Sequence, residues 1–90
     1  MSLLRFEWDK RKAAINKIKH GIAFEEARTV FYDDYARLID DPDHSEGEER
    51  FDLLGLSGKQ RLLLVCHCHR HEDHVIRIIS ALKAAAHGFG

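Results

Sequence analysis

The chain has ninety residues, 44% of them hydrophobic and 32% charged, with 14 Lys and Arg against 15 Asp and Glu for a net charge of −1. This composition excludes a disordered chain, and the even charge balance excludes the strongly cationic surface of an indiscriminate nucleic-acid binder. A single small domain over residues 1–90 is expected; no apolar run reaches the roughly 18–20 residues of a membrane span, and MSLLRFEWDKRK has no leader-like pattern, which points to the cytoplasm.

In chain order, the apolar stretch Leu3–Trp8 reads as a first strand. Asp9 then supplies a carboxylate to cap a helix over Lys10–His20, with Trp8 placed to pack over Ala13 in a hydrophobic staple. Ala14, Ile15 and Ile18 share one face of that helix, and Gly21 ends it. A second helix follows, with Phe24, Ala27, Val30 and Phe31 as its buried stripe and Glu25 and Glu26 near its positive end. It stops at Asp33-Asp34. Tyr35–Asp40 reads as a strand, the segment around Pro42 as an acidic loop, and Glu49–Leu56 as the next strand.

Ser57-Gly58-Lys59 forms a turn into a strand over Arg61–His69, and Val75–Ser80 is a further strand. Ser80 is placed to cap a short terminal helix through Ala81–Ala86. The order β-α-α-β-β-β-β-α implies helices packed on one face of a largely antiparallel sheet. Charge is unevenly spread: Lys10–His20 is basic and Asp40–Glu49 is acidic, so the two present surfaces of opposite sign.

VCHCHRHEDH, residues 65–74, holds both cysteines and four of the seven histidines. On a strand His67 and His69 point to one side and can reach one zinc ion, while Cys66 and Cys68 point to the other. Alternation therefore splits the ligand set, and no CxxC spacing supports a structural zinc site. His71 and His74 join only if the turn folds back. The favoured reading has the cysteines as small buried residues and the histidines as decoration of an exposed face, with no metal and no disulfide. A Cys–His nucleophile pair has no evident third residue to orient it.

A different set of residues carries a resemblance. FEWD at Phe6–Asp9, Asn16, KHG at Lys19–Gly21 and FEEA at Phe24–Ala27 are followed by HSEGEER at His44–Arg50 and a strand containing Gly55. RLLLV at Arg61–Val65 and IRIISA at Ile76–Ala81 complete the series. In this order and spacing the chain resembles the BrnT family of toxins from bacterial type II toxin–antitoxin systems. The resemblance implies a RelE-like α+β fold, with N-terminal helices packed on a largely antiparallel four-stranded sheet and a short C-terminal helix. It further implies an RNA-cutting toxin that stops translation. Such a toxin is neutralised by a BrnA-like ribbon-helix-helix antitoxin, through which alone operator DNA is bound.

The chemistry of the matching residues is compatible with that activity. Attack by a ribose 2′-hydroxyl needs a base, an acid and cationic stabilisation of the phosphate, with no obligatory metal or other cofactor. His20 suits the acid or base, and Arg50 and Arg77, on adjacent-type strands, suit a bidentate phosphate clamp. Lys19, Arg70 and Lys83 are candidate RNA contacts. Structural roles compete: His20 can cap helix carbonyls and Arg50 can pair with the acidic loop. One departure stands out, because Leu82 occupies the place of an expected arginine and Ala85 that of an expected threonine. The terminal helix is correspondingly short and mostly uncharged. This opens the alternative of a catalytically inactive homologue that only binds its antitoxin; a zinc-binding protein using His67 and His69 is the other.

Overall fold

Asp9 and Gly21 bracket helix α1 (Lys10–His20) as their chemistry demands. In the computed structural model, which describes residues 4–40, 50–70 and 74–84, Asp9 Oδ1 accepts the amides of Arg11 (2.8 Å) and Lys12 (3.1 Å). Those two bonds hold the Asp9 carboxyl below its usual range. Gly21 turns left-handed at φ 73° and returns its amide to the Lys17 carbonyl at 2.9 Å, a conformation that a side chain resists. The second helical segment is tighter than a continuous α-helix. Helix α2 covers only Phe24–Ala27 and passes into a 3₁₀ helix over Arg28–Tyr32.

The strands are β1 (Arg5–Glu7), β2 (Arg37–Asp40), β3 (Phe51–Leu56), β4 (Leu62–Arg70) and β5 (Val75–Lys83). They form one five-stranded sheet in the order β1-β5-β4-β3-β2. The four strands from β2 to β5 are an antiparallel meander, while β1 precedes the helices and pairs with β5 in parallel, so the sheet is mixed. The expected four-stranded sheet is thereby corrected to five. A terminal helix beginning at Ser80 is also corrected: Ser80 to Lys83 continue β5, whose register against β4 runs to Leu63↔Lys83. Ladder pairing decided the conformation that helix propensity left open for Ala81-Leu82-Lys83. The acidic loop at 41–49, His71 and residues 85–90 lie outside the described residues.

One sheet face is closed by apolar packing. Ile22, Phe24, Ala27 and Val30 are fully buried against Leu53, Leu63, Val65, Ile76, Ile78 and Ala81. Trp8 meets Phe24 edge to face with ring centroids 5.8 Å apart. Gly55 permits the close approach of the 3₁₀ helix to β3: a Cβ there would lie 2.8 Å from Ala36 Cβ and 2.9 Å from Val30 Cγ1. A polar network locks the other end of α2. Buried Glu26 accepts Ser57 Oγ (2.6 Å) and Arg61 Nε (2.9 Å) and also pairs with the Arg61 Nη2. The guanidinium, chiefly, holds the Glu26 carboxyl down at about 2.

Two expectations fail on burial. Helix α1 turns Ala13, Asn16 and His20 inward, while Ile15 and Ile18 of its expected apolar stripe are 54% and 86% exposed. His67, read as exposed, is 1% exposed. Alternation does place it opposite the cysteines, but its side is the one beneath the 3₁₀ helix, edge-on to Phe31 at 4.8 Å. Its Nδ1 donates to the Val65 carbonyl (3.1 Å), while Nε2 is buried without a hydrogen-bond partner among the described residues. Burial, above all, pushes the imidazole down to about 4.

Candidate active-site groove

Strand β1 is short, so it covers β5 only as far as Glu7↔Arg77. Beyond that point α1 lies against the bare edge of β5, and Asn16 takes over the pairing. Its Nδ2 donates to the Ala81 carbonyl (2.8 Å) and its Oδ1 accepts the Ala81 amide (3.1 Å), as a neighbouring strand would do. A further bond from Nδ2 to the Ile22 carbonyl (2.9 Å) ties in the turn after α1. Asn16 is thus a sheet partner supplied by a helix, and it fixes where the next turn of α1 places Lys19 and His20.

Strand β5 is irregular at the same place. Cys66 pairs with Ser80 but His67 pairs with Ile78, leaving Ile79 as an extra residue. Such bulges redirect side chains and recur beside active sites. On one side of Ile79 and Ser80 is a depression bordered by Lys12, Ile15, Asn16, Lys19 and His20. On the other is a depression bordered by Arg50, Asp52, Leu64, Cys66 and Leu82. Ile79 and Ser80 line both, so the two depressions are neighbours along β5 and together are the candidate groove. The cations of the first come from α1, and the second holds Arg50, just ahead of β3.

The expected site residues therefore divide into groups. His20 and Lys19 share the first half of the groove with Lys12, and Arg50 stands in the second. Arg77 and Arg70 lie on the sheet face away from the helices, both turned to Glu7 Oε2, at 2.9 Å and 3.3 Å. One carboxylate facing two guanidiniums leaves that pair of arginines net cationic. Arg50 and Arg77 are not on adjacent strands, since β4 intervenes, which sets their backbones roughly 10 Å apart across the sheet. Lys83 is exposed at the end of β5 and lines neither half. Leu82, at the place where the resemblance implies an arginine, borders the half that holds Arg50.

Sequence reasoning missed Lys12, Asp52 and Ser80 as groove residues and Glu7 as the organiser of two arginines. Glu7 carried a legible signal, a charge inside the apolar FEWD strand. Ser80 did not, because a serine before three alanine-rich positions looks like a helix cap. As for a metal, no three His, Cys, Asp or Glu side chains converge among the described residues. His67 has its Nδ1 engaged and its ring enclosed, which counts against a zinc site shared with His69.

The family model described as "Ribonuclease toxin, BrnT, of type II toxin-antitoxin system" matches residues 8–87. The chain belongs to the BrnT family. A solved structure, the Brucella abortus ribonuclease toxin BrnT, shares the fold at a TM-score of 0.69 and 18% sequence identity, covering 92% of this chain and 99% of that one. No curated protein sequence matches. Membership of the BrnT family makes this chain one half of a toxin–antitoxin pair, and no helix among the described residues is long and apolar enough to cross a membrane.

Proposed function

We propose that this BrnT-family chain is a metal-independent endoribonuclease, a single domain acting in the cytoplasm, that cleaves RNA to inhibit translation. Its antitoxin is of the BrnA-like ribbon-helix-helix type, which alone contacts operator DNA. The observation that carries the proposal is the pair of neighbouring depressions that share Ile79 and Ser80, one bordered by His20 and Lys19 and the other by Arg50.

An RNA backbone laid along this groove meets an imidazole on one bank and a guanidinium on the other. His20 takes the proton of the attacking 2′-hydroxyl or returns one to the departing 5′-oxygen, a role open to an imidazole that can accept and donate a proton. Arg50 meets the charge that builds on the phosphate oxygens during attack. Lys19 and Lys12 hold the neighbouring phosphates. Arg70 and Arg77, which share Glu7, position the strand as it leaves; Lys83 contacts it further out.

Cleavage of a defined RNA in the presence of EDTA tests the reading. His20→Ala is expected to lower kcat by about 10²–10⁴-fold and Arg50→Ala by about 10²–10³-fold, with thermal unfolding unchanged in both. Wild-type protein that cuts no RNA and arrests no growth at good expression overturns it. A second reading rests on Leu82: an apolar side chain in the groove wall favours an inert homologue that retains only antitoxin recognition. If Leu82→Arg adds neither RNA cleavage nor growth arrest to an inactive wild type, that second reading stands.

A further inference from the structure

Helix α1 packs with its amphipathic pattern reversed. Asn16 faces inward because its amide completes the β5 edge, and this rotation turns Ile15 and Ile18 to solvent. Isolated exposed isoleucines are ordinary. These two are one turn apart on the same helix face and sit within a frame of Arg11, Lys12, Lys17 and Lys19, with no acidic residue anywhere in the helix. We infer that the outward face of α1 is the docking surface for the antitoxin, and that it receives an antitoxin segment combining aliphatic side chains with Asp or Glu. The inference rests on the toxin reading above and adds where the partner sits.

Charge complementarity selects this occupant over its rivals. The chain's own acidic stretch, DDPDHSEGEE at residues 40–49, would satisfy the lysines of a second copy, but it has no aliphatic side chain to cover the isoleucines. RNA would likewise meet the cations and leave Ile18 in water. Only a protein segment with both kinds of side chain matches both features. The position gives the contact a consequence, since Ile15 also borders the depression that holds His20 and Lys19. A segment seated along Ile15 and Ile18 runs over that half of the groove and shuts RNA out.

The test is titration calorimetry of the full chain against the antitoxin encoded by the neighbouring gene, at several salt concentrations. Ile18→Glu is expected to weaken binding about ten- to hundredfold, the effect of losing one buried aliphatic side chain to a charge, with RNA cleavage and melting temperature unchanged because Ile18 lines neither half of the groove. Lys17→Glu is expected to weaken it less and to flatten its salt dependence. Unchanged antitoxin affinity in Ile18→Glu overturns the docking surface while leaving the toxin reading intact; absence of wild-type binding overturns both. Loss of RNA cleavage with antitoxin affinity retained assigns the face to RNA instead. Dissociation of a wild-type dimer by the same substitution, again with affinity retained, assigns it to a second copy.

Discussion

Two helical segments lean on the same sheet and are held by opposite means. The stretch from α2 through the 3₁₀ helix buries Phe24, Ala27 and Val30 completely, and its attachment is that of an ordinary core element. Helix α1 buries only Asn16 and attaches through three side-chain hydrogen bonds to backbone groups, keeping its larger apolar residues outside. The first arrangement rests mainly on non-directional apolar burial, with the Glu26–Ser57–Arg61 network adding directional bonds at one end. The second is directional and fixes the rotation of α1, because the amide must meet both polar groups of one residue, Ala81. The contrast teaches that the rigid scaffold and the positioned surface of this protein are separate. Helix α1 sets the lysines and histidine of the groove by hydrogen-bond geometry, and thereby frees its apolar face for another use.

Breaking the apolar side should cost most. Phe24→Ala removes the largest fully buried side chain and is expected to destabilise the protein by about 3–5 kcal/mol in urea unfolding. The same side also contains a titratable group beneath the 3₁₀ helix. His67 is pushed down to about 4 in the folded protein, so below the ordinary histidine range near 6.5 the unfolded chain binds a proton that the native state refuses. Stability is complete above about pH 6.5 and falls by roughly 3 kcal/mol as the pH drops towards 4. His67→Phe should remove this slope from a pH series of unfolding midpoints. A slope surviving in His67→Phe would assign it elsewhere. The Glu26 carboxyl, depressed to about 2, adds a second loss at still lower pH, between its unfolded value near 4.5 and about 2.

The directional side should break at somewhat lower cost but with wider effects. Asn16→Ala strands the amide and carbonyl of Ala81 at a buried edge and is expected to cost about 2–3 kcal/mol. Because it also releases α1, it should lower RNA cleavage even under conditions where the fold persists, a coupling that Phe24→Ala at matched stability would lack. Equal activity losses in the two variants would erase the distinction. The smallest effect is expected at the outward face of α1. Ile18→Glu should change stability by less than about 0.5 kcal/mol, as measured by thermal unfolding, because the side chain already stands in water.

Much of the fold was legible locally. The bounds of α1 follow from an N-cap aspartate and a left-handed glycine, both of which act within a few residues of chain. The strand and turn pattern of β3 and β4 follows from alternation and from Ser57-Gly58-Lys59. His20, Lys19 and Arg50 were singled out by motif; the first two border one depression and Arg50 its neighbour. What escaped depends on pairing between distant segments. Ala81-Leu82-Lys83 is helix-prone by composition but is held as strand by β4, and His67 is covered by a 3₁₀ helix more than thirty residues earlier. Hydrophobic periodicity misassigned the faces of α1 for the same reason, since the value of burying Asn16 lies in a residue 65 positions away.

The sequence by itself determined the family, the two helical starts, the meander and the residue types that can move a proton or meet a phosphate. Capping, alternation and motif order are short-range, and each can be read from adjacent letters. Tertiary structure alone decided the parallel pairing of β1 with β5, the bulge at Ile79, the adjacency of two depressions and the outward turn of Ile15 and Ile18. These depend on hydrogen bonds and close packing between segments far apart in the chain, whose strength exists only once the sheet has formed.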